Sequence, residues 1–92
     1  MTDIVFDAQG TRYVLPLDGG EEAQVDVRVS EGVMTVRRVF VPPSQEGRGL
    51  ASRLMAHVSE DARAQGLKIV PVCSYADAWF RRHKDMQDLL GS

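Results

Sequence analysis

Between Ala23 and Ser30 the chain alternates without a break: Ala23, Val25, Val27 and Val29 are apolar, while Gln24, Asp26, Arg28 and Ser30 are polar. A repeat of two is that of a strand with one buried face. Thr11 to Leu17, with strand-forming Tyr13 and Val14, precedes it and ends at Asp18-Gly19-Gly20, whose glycines tolerate the positive φ of a hairpin turn. Val33 to Val41 comes after the turn Ser30-Glu31-Gly32 and stops at Pro42-Pro43, since proline has no N–H to give to a ladder. Three antiparallel strands are therefore expected before the first helix.

From Gly49 to Gln65 the period changes. Leu50, Leu54, Val58 and Ala62 recur every four residues, with Ala51 and Met55 widening the stripe, so a helix with one apolar face is predicted, terminated by Gly66. Lys68 to Val72 is a short apolar run suited to a central strand, but Pro71 predicts a bulge or a place where strands part. Ser74 and Asp77 have the spacing of a capping box, and Tyr75, Ala76, Trp79, Phe80 and His83 lie along one side of a short second helix. The tail from Lys84 to Ser92 is polar except for Met86, Leu89 and Leu90. There is no repeat, low-complexity stretch or linker. The pattern predicts an α+β fold: a mostly antiparallel sheet of about four strands, a long central helix and a short C-terminal helix.

With 92 residues, 43% of them apolar and 26% charged, the chain is expected to form a single domain over 1–92 with one core, burying roughly two-thirds of its unfolded surface. A net charge of -2 gives no electrostatic reason to expect nucleic acid or an anionic membrane as partner. No apolar stretch approaches the roughly 20 residues of a membrane span, and the first ten residues lack the features of a secretory signal. The single cysteine, Cys73, can make no internal disulfide and has no second cysteine with which to share a metal. A reducing, cytoplasmic setting is expected, and no metal.

The chemistry concentrates in Pro42 to Leu54, PPSQEGRGLASRL, which joins strand to helix through alternating glycines. Gly47 and Gly49 lack a Cβ and let backbone approach a bulky anion, while the next turn offers the unpaired N–H groups and positive dipole end of a helix start. Isolated glycines also suit a plain loop, with Ser44 as cap. A cation at a helix start is mildly unfavourable, so Arg48 suggests an anion nearby. The turn lacks the Gly-Lys-[Ser/Thr] of a P-loop and the G-x-G-x-x-G of a dinucleotide fold.

The element order and these motifs resemble the GNAT superfamily of N-acetyltransferases, whose signature Arg/Gln-x-x-Gly-x-Gly/Ala reads here as Glu46-Gly47-Arg48-Gly49-Leu50-Ala51. Closer still is its miniature, stand-alone branch. The shared motifs are Val41-Pro42-Pro43, Gly47 to Ala51, Gly66-Leu67-Lys68, Val70-Pro71-Val72-Cys73 and Arg82-His83-Lys84-Asp85-Met86-Gln87-Asp88-Leu89. The resemblance covers nearly everything after Thr11. It implies an acetyl-coenzyme A site in which the turn holds the pyrophosphate and strands parting near Pro71 admit the pantetheine arm. The implied cofactor residues are Phe40, Val41, Glu46, Gly47, Arg48, Gly49, Leu50, Ala51, Ser52, Cys73, Trp79 and Arg82.

Glu46 stands where the superfamily has Arg or Gln. A carboxylate 4 Å from a phosphate charge costs about 1 kcal/mol in water and about 4 kcal/mol at a protein surface. Glu46 is thus expected to turn outward or to be neutralised by Arg48 or Arg53. In Arg37-Arg38-Val39-Phe40 any base that relatives supply from this strand is missing. Cys73 and Tyr75 are the candidate catalytic residues. Cys73, just before the second helix, is acyl acceptor, general acid to the leaving thiolate, or packing residue. Trp79, with Tyr75 and Phe80, suits the core, with an edge contact to pantetheine as the functional alternative. His57 reads as a boundary residue. The run Arg81-Arg82-His83-Lys84 complements the helix dipole or meets the 3′-phosphate of coenzyme A. The implied activity is transfer of acetyl from acetyl-coenzyme A to an unidentified amine; the alternative is a non-catalytic coenzyme-A-binding or protein-interaction module. A monomer or weak homodimer is expected.

Overall fold

The computed structural model describes residues 3–91; Met1, Thr2 and Ser92 lie outside the described residues. Five strands form one sheet in the order β1 (Val5–Asp7), β2 (Arg12–Pro16), β3 (Glu22–Ser30), β4 (Val33–Phe40), β5 (Lys68–Pro71). The first three pairings are antiparallel and the last is parallel, joined by the crossover helix α1 (Leu50–Ala64). A second helix, α2 (Ser74–Arg82), and a 3₁₀ segment, Lys84–Leu89, complete the chain. The α+β class and mostly antiparallel sheet are as the sequence predicts.

The strand count is not: β1 precedes the expected hairpin, and four strands come before α1. Val5–Asp7 is too short for period-2 patterning to register, and Val5 and Phe6 are exposed. Nor is β5 central. It ends the sheet, its outer side bridged by Leu90 opposite Ile69 and by the Gly91 amide donating to Ile69 O at 2.8 Å.

Tyr13, Leu15, Ala23, Val25, Val27, Met34, Val36 and Ile69 pack beneath the apolar stripe of α1, formed by Leu54, Met55, Val58 and Ala62. α2 contributes Ala76, Trp79 and Phe80 to the same core. α1 ends at Gly66, φ +72°, where the Leu67 amide donates to Ala62 O at 2.9 Å and Leu67 packs against the core. The capping box is not formed. Cys73 is the cap residue of α2 and makes no side-chain cap bond, Ser74 is the first helical residue, and the Asp77 carboxylate pairs with Arg81 at 3.0 Å. Among the described residues no helix is long and apolar enough to cross a membrane.

Two irregularities position the site. Asp26 pairs with Arg38 but Val27 pairs with Val36, so Arg37 is an extra residue and β4 bulges there. One residue earlier, at Val36 opposite Pro71, the pairing with β5 ends, as Pro71 suggests. The Val72 and Cys73 amides both donate to Val36 O, at 3.0 and 3.2 Å, and the chain then turns into α2. Beyond Val36, β4 keeps β3 on one side and loses its partner on the other.

Candidate functional site

Where β5 leaves β4, a groove of about 520 Å³ opens. One wall runs from the end of β4 into the loop after it, with Val39, Phe40, Val41 and Pro43; the other is the glycine bend and first turn of α1, from Gln45 to Ser52; Tyr75 of α2 closes it. Beyond Val36 the backbone groups of β4 on the side that β5 leaves have no ladder partner.

The bend presents donors. Gly47 and Gly49 both have positive φ, +86° and +73°, whereas Arg48 between them does not. Alternation of this kind turns successive N–H groups toward one side, the arrangement of a backbone anion nest. Among the described residues the amides of Gly47, Arg48, Gly49, Leu50, Ala51 and Ser52 donate to no backbone or side-chain acceptor; Glu46, just before them, donates to Pro43 O at 3.3 Å. No side chain caps α1, whose cap residue is Gly49 itself. A Cβ placed on either glycine would meet no atom within 4 Å, so the space before the bend is open.

The loop is braced from behind. Glu21 Oε1 accepts from Ser44 Oγ at 2.7 Å and from Gln45 Nε2 at 3.3 Å, and Arg48 donates to Gln45 Oε1. Ser44 is thus tied to the β2–β3 turn and is not the helix cap. Arg48 does not neutralise Glu46. Glu46 is exposed and forms no ion pair with Arg48 or Arg53.

Of the residues expected at the site, Phe40, Val41, Glu46, Gly47, Gly49, Leu50, Ala51, Ser52 and Tyr75 line the groove. Arg48 stands beside it, exposed. Cys73 is half-buried against the core at the start of α2, and Arg82 is exposed at its far end. Trp79 is 1% exposed, in the core as its aromatic character suggests, and is not among the residues that line the groove. It acts on the site indirectly: Nε1 donates to Ser52 Oγ at 2.9 Å. His83 stacks on the Trp79 ring at 3.8 Å and sets Nδ1 2.7 Å from Trp79 O, so its ring is engaged in packing. His57 meets Tyr13 edge-on at 5.8 Å, away from the groove. Val39, Pro43 and Gln45 also line the groove, beyond the residues the sequence singles out. Pro43 and Gln45 lie inside the glycine-bearing segment; Val39 reaches the groove only because of the bulge, which leaves no mark in the hydrophobic pattern.

A family model described as GCN5-related N-acetyl-transferase matches residues 12–89, the whole span from the start of β2 to the end of the 3₁₀ segment. The chain belongs to this GCN5-related N-acetyltransferase family. Its fold is similar to that of a GCN5-like protein from Staphylococcus aureus solved by NMR, with TM-score 0.75 and 22% identity over 100% of this chain and 92% of that one. It is also similar to N-acetylglutamate synthase from Neisseria gonorrhoeae, solved with coenzyme A and N-acetyl-glutamate, with TM-score 0.65 and 20% identity over 79% of this chain but 18% of that one. A search of curated proteins returned no match. In this family member the glycine bend, the parted strands and Tyr75 meet at one groove.

Proposed function

We propose that the groove binds acetyl-coenzyme A and that the protein transfers the acetyl group to an amine. The observation that carries this reading is the run of undonated amides from Gly47 to Ser52, most of whose residues line the groove. Fixed N–H donors at a helix start suit a diphosphate. Family membership, and a fold neighbour solved with coenzyme A, support the same ligand. Gly47 to Ser52 would hold the diphosphate, and the unpartnered edge of β4 from Val39 to Val41 would bond the amides of the pantetheine arm. The single unpaired cysteine suits a reducing, cytoplasmic setting.

When bound, the thioester supplies an acyl carbon open to attack by an uncharged amine: the N–C bond forms, the C–S bond breaks, and the sulfur leaves as thiolate. A backbone N–H near Phe40 or Val41 would donate to the carbonyl oxygen as charge gathers on it. Tyr75, which lines the groove, would give the departing sulfur its proton from its hydroxyl; Cys73, outside the lining, is the second candidate. Among the described residues no histidine lines the groove, and the one carboxylate in its lining, Glu46, is on the bend at the proposed diphosphate end. The amine therefore sheds its proton to water.

Titration calorimetry with acetyl-coenzyme A tests the cradle. The expected result is binding by the native chain and at least tenfold weaker binding by Gly49→Trp; equal affinity in both, or none in either, rejects the reading. The lack of a base in the groove favours a second reading, a non-catalytic binder of the same cofactor. Mass spectrometry of amines incubated with protein and acetyl-coenzyme A separates the two, since a pure binder gives no turnover above the uncatalysed rate.

A further inference from the structure

A second groove, of about 470 Å³, lies on the sheet face opposite the helices. The register makes it: Arg12 on β2 pairs with Asp26 on β3, and Asp26 pairs with Arg38 on β4, so the three side chains stand in one row on one face. The bulge at Arg37 adds a second guanidinium beside Arg38, and Gly10 and Thr11 close the end.

The charges in this row are not equally engaged. Arg12 contacts Asp7 Oδ2 at 3.3 Å and Glu22 Oε1 at 3.4 Å, and donates to Gln24 Oε1 at 2.5 Å. The Gly10 amide and Arg12 hold the Asp7 carboxyl below its ordinary 3.8, so that partner stays ionised. Gln24 in turn donates to Asp26 Oδ1 at 2.8 Å. Arg37 and Arg38 are exposed and have no carboxylate within 4.0 Å among the described residues; Arg38 lies 5.2 Å over the Phe40 ring. Arg12 is shared by Asp7 and Glu22, so the cluster as a whole is balanced, and the positive charge left without a carboxylate partner is local, on the guanidiniums of Arg37 and Arg38. That suits a monoanion. A doubly charged phosphate is opposed by Asp26.

Position gives the groove a role. Arg37 is the first residue after Val36, where β4 and β5 part, and Phe40 beneath Arg38 lines the cofactor groove. We propose that the Arg37–Arg38 groove binds the carboxylate of the acceptor, so that the substrates of this enzyme are small molecules carrying both an amine and a carboxylate. This rests on the acetyl-transfer reading for the word acceptor, but the binding of carboxylate does not.

Amide NMR titration of the full chain without cofactor tests it, using 4-aminobutyrate, butyrate, 1,4-diaminobutane and inorganic phosphate as separate probes. The expected result is that the two carboxylates shift the amides of Gly10, Thr11, Arg37 and Arg38, that phosphate does so more weakly, and that the diamine does not. Arg37→Gln/Arg38→Gln should weaken 4-aminobutyrate binding at least tenfold, while Arg38→Lys, which keeps the charge, should weaken it less. Exposed positions make both variants safe for folding, checked by an unchanged spectrum elsewhere. In turnover, the double variant should raise KM for 4-aminobutyrate with little change in kcat. No carboxylate binding at these amides, phosphate binding tighter than carboxylate, or equal binding by the double variant overturns the proposal. Acetyl-coenzyme A failing to bind a chain that still binds carboxylate rejects the proposed function alone. Acetylation of the diamine with the lower KM overturns the acceptor assignment.

Discussion

The indole Nε1 of Trp79 donates to the hydroxyl of Ser52 at 2.9 Å, which ties α2 to the first turn of the helix that opens at the glycine bend. Trp79 is buried and Ser52 lines the cofactor groove, so one bond joins the core to the candidate site. Ser52→Ala leaves the indole N–H without an acceptor, at a cost of about 1–3 kcal/mol. Trp79→Phe removes the donor and some volume. Because the two changes share one bond, the double variant should be less destabilised than the sum by about 1 kcal/mol in urea denaturation. Strict additivity would show that the bond contributes nothing.

Gly49 and Gly66 allow a separation of stability from binding. Both have positive φ, +73° and +72°, and at neither would a Cβ meet an atom within 4 Å. The cost of alanine at each is therefore conformational, about 1–2 kcal/mol. Gly66 lies at the far end of α1, away from the groove. Gly49→Ala and Gly66→Ala should lose similar stability by thermal denaturation, but only Gly49→Ala should weaken acetyl-coenzyme A in calorimetry. Equal weakening by both would mean that the bend acts through global stability.

Most of this architecture is legible in the side-chain pattern, and the parts that are not share a common cause. β3, α1 and the Gly66 stop are set by alternation, four-residue spacing and a glycine after the stripe. The glycine bend stands out because Gly47 and Gly49 flank a single residue before an apolar helix. β1 escapes the pattern because three residues cannot show a period. The edge position of β5 is hidden because Ile69 is covered by helices, not by neighbouring strands, and reads as central. The bulge at Arg37 depends on cross-strand register, which sequence does not display. With it go Val39 as a groove residue, and the row of Arg12, Asp26 and Arg38. Trp79 is readable as aromatic and apolar, but its bond to Ser52 spans 27 positions and belongs to tertiary packing.

The Tyr13 hydroxyl donates to Asp61, linking β2 to α1 from beneath. Burial, then the bond and charge of Asp61, push the phenol above its ordinary 10.0. In the folded chain Tyr13 keeps its proton where the unfolded chain loses it. Its contribution is therefore complete below about pH 10 and declines as pH rises beyond that value. The native chain should lose stability between about pH 9 and about pH 11 more steeply than Tyr13→Phe, measured by urea denaturation. Matching slopes would show that Tyr13 titrates alike in both states. At neutral pH the same variant should be destabilised by about 0.5–1.5 kcal/mol, the net worth of one hydrogen bond, because Asp61 keeps Gln65 Nε2 as a donor at 2.9 Å.

Arg63 on α1 holds Asp88 of the C-terminal segment, Nη1 to Oδ2 at 2.7 Å and Nη2 to Oδ1 at 3.1 Å, while Lys68 Nζ donates to Asp88 O at 2.8 Å. This pair sits just before the residues that cover the outer side of β5, Leu90 against Ile69 and the Gly91 amide on Ile69 O. An open edge would otherwise offer its ladder groups to other chains. The Arg63 hydrogen bond holds the Asp88 carboxyl below its ordinary 3.8. The attachment is thus complete above that value and is lost as acid carries pH down through the depressed one. Both groups are largely exposed, so salt screens the pair. Asp88→Asn should speed hydrogen exchange at the Gly91 amide, and added salt should speed it in the native chain but little in the variant. Unchanged protection in Asp88→Asn would show that Leu89, buried against the core, anchors the tail without the ion pair.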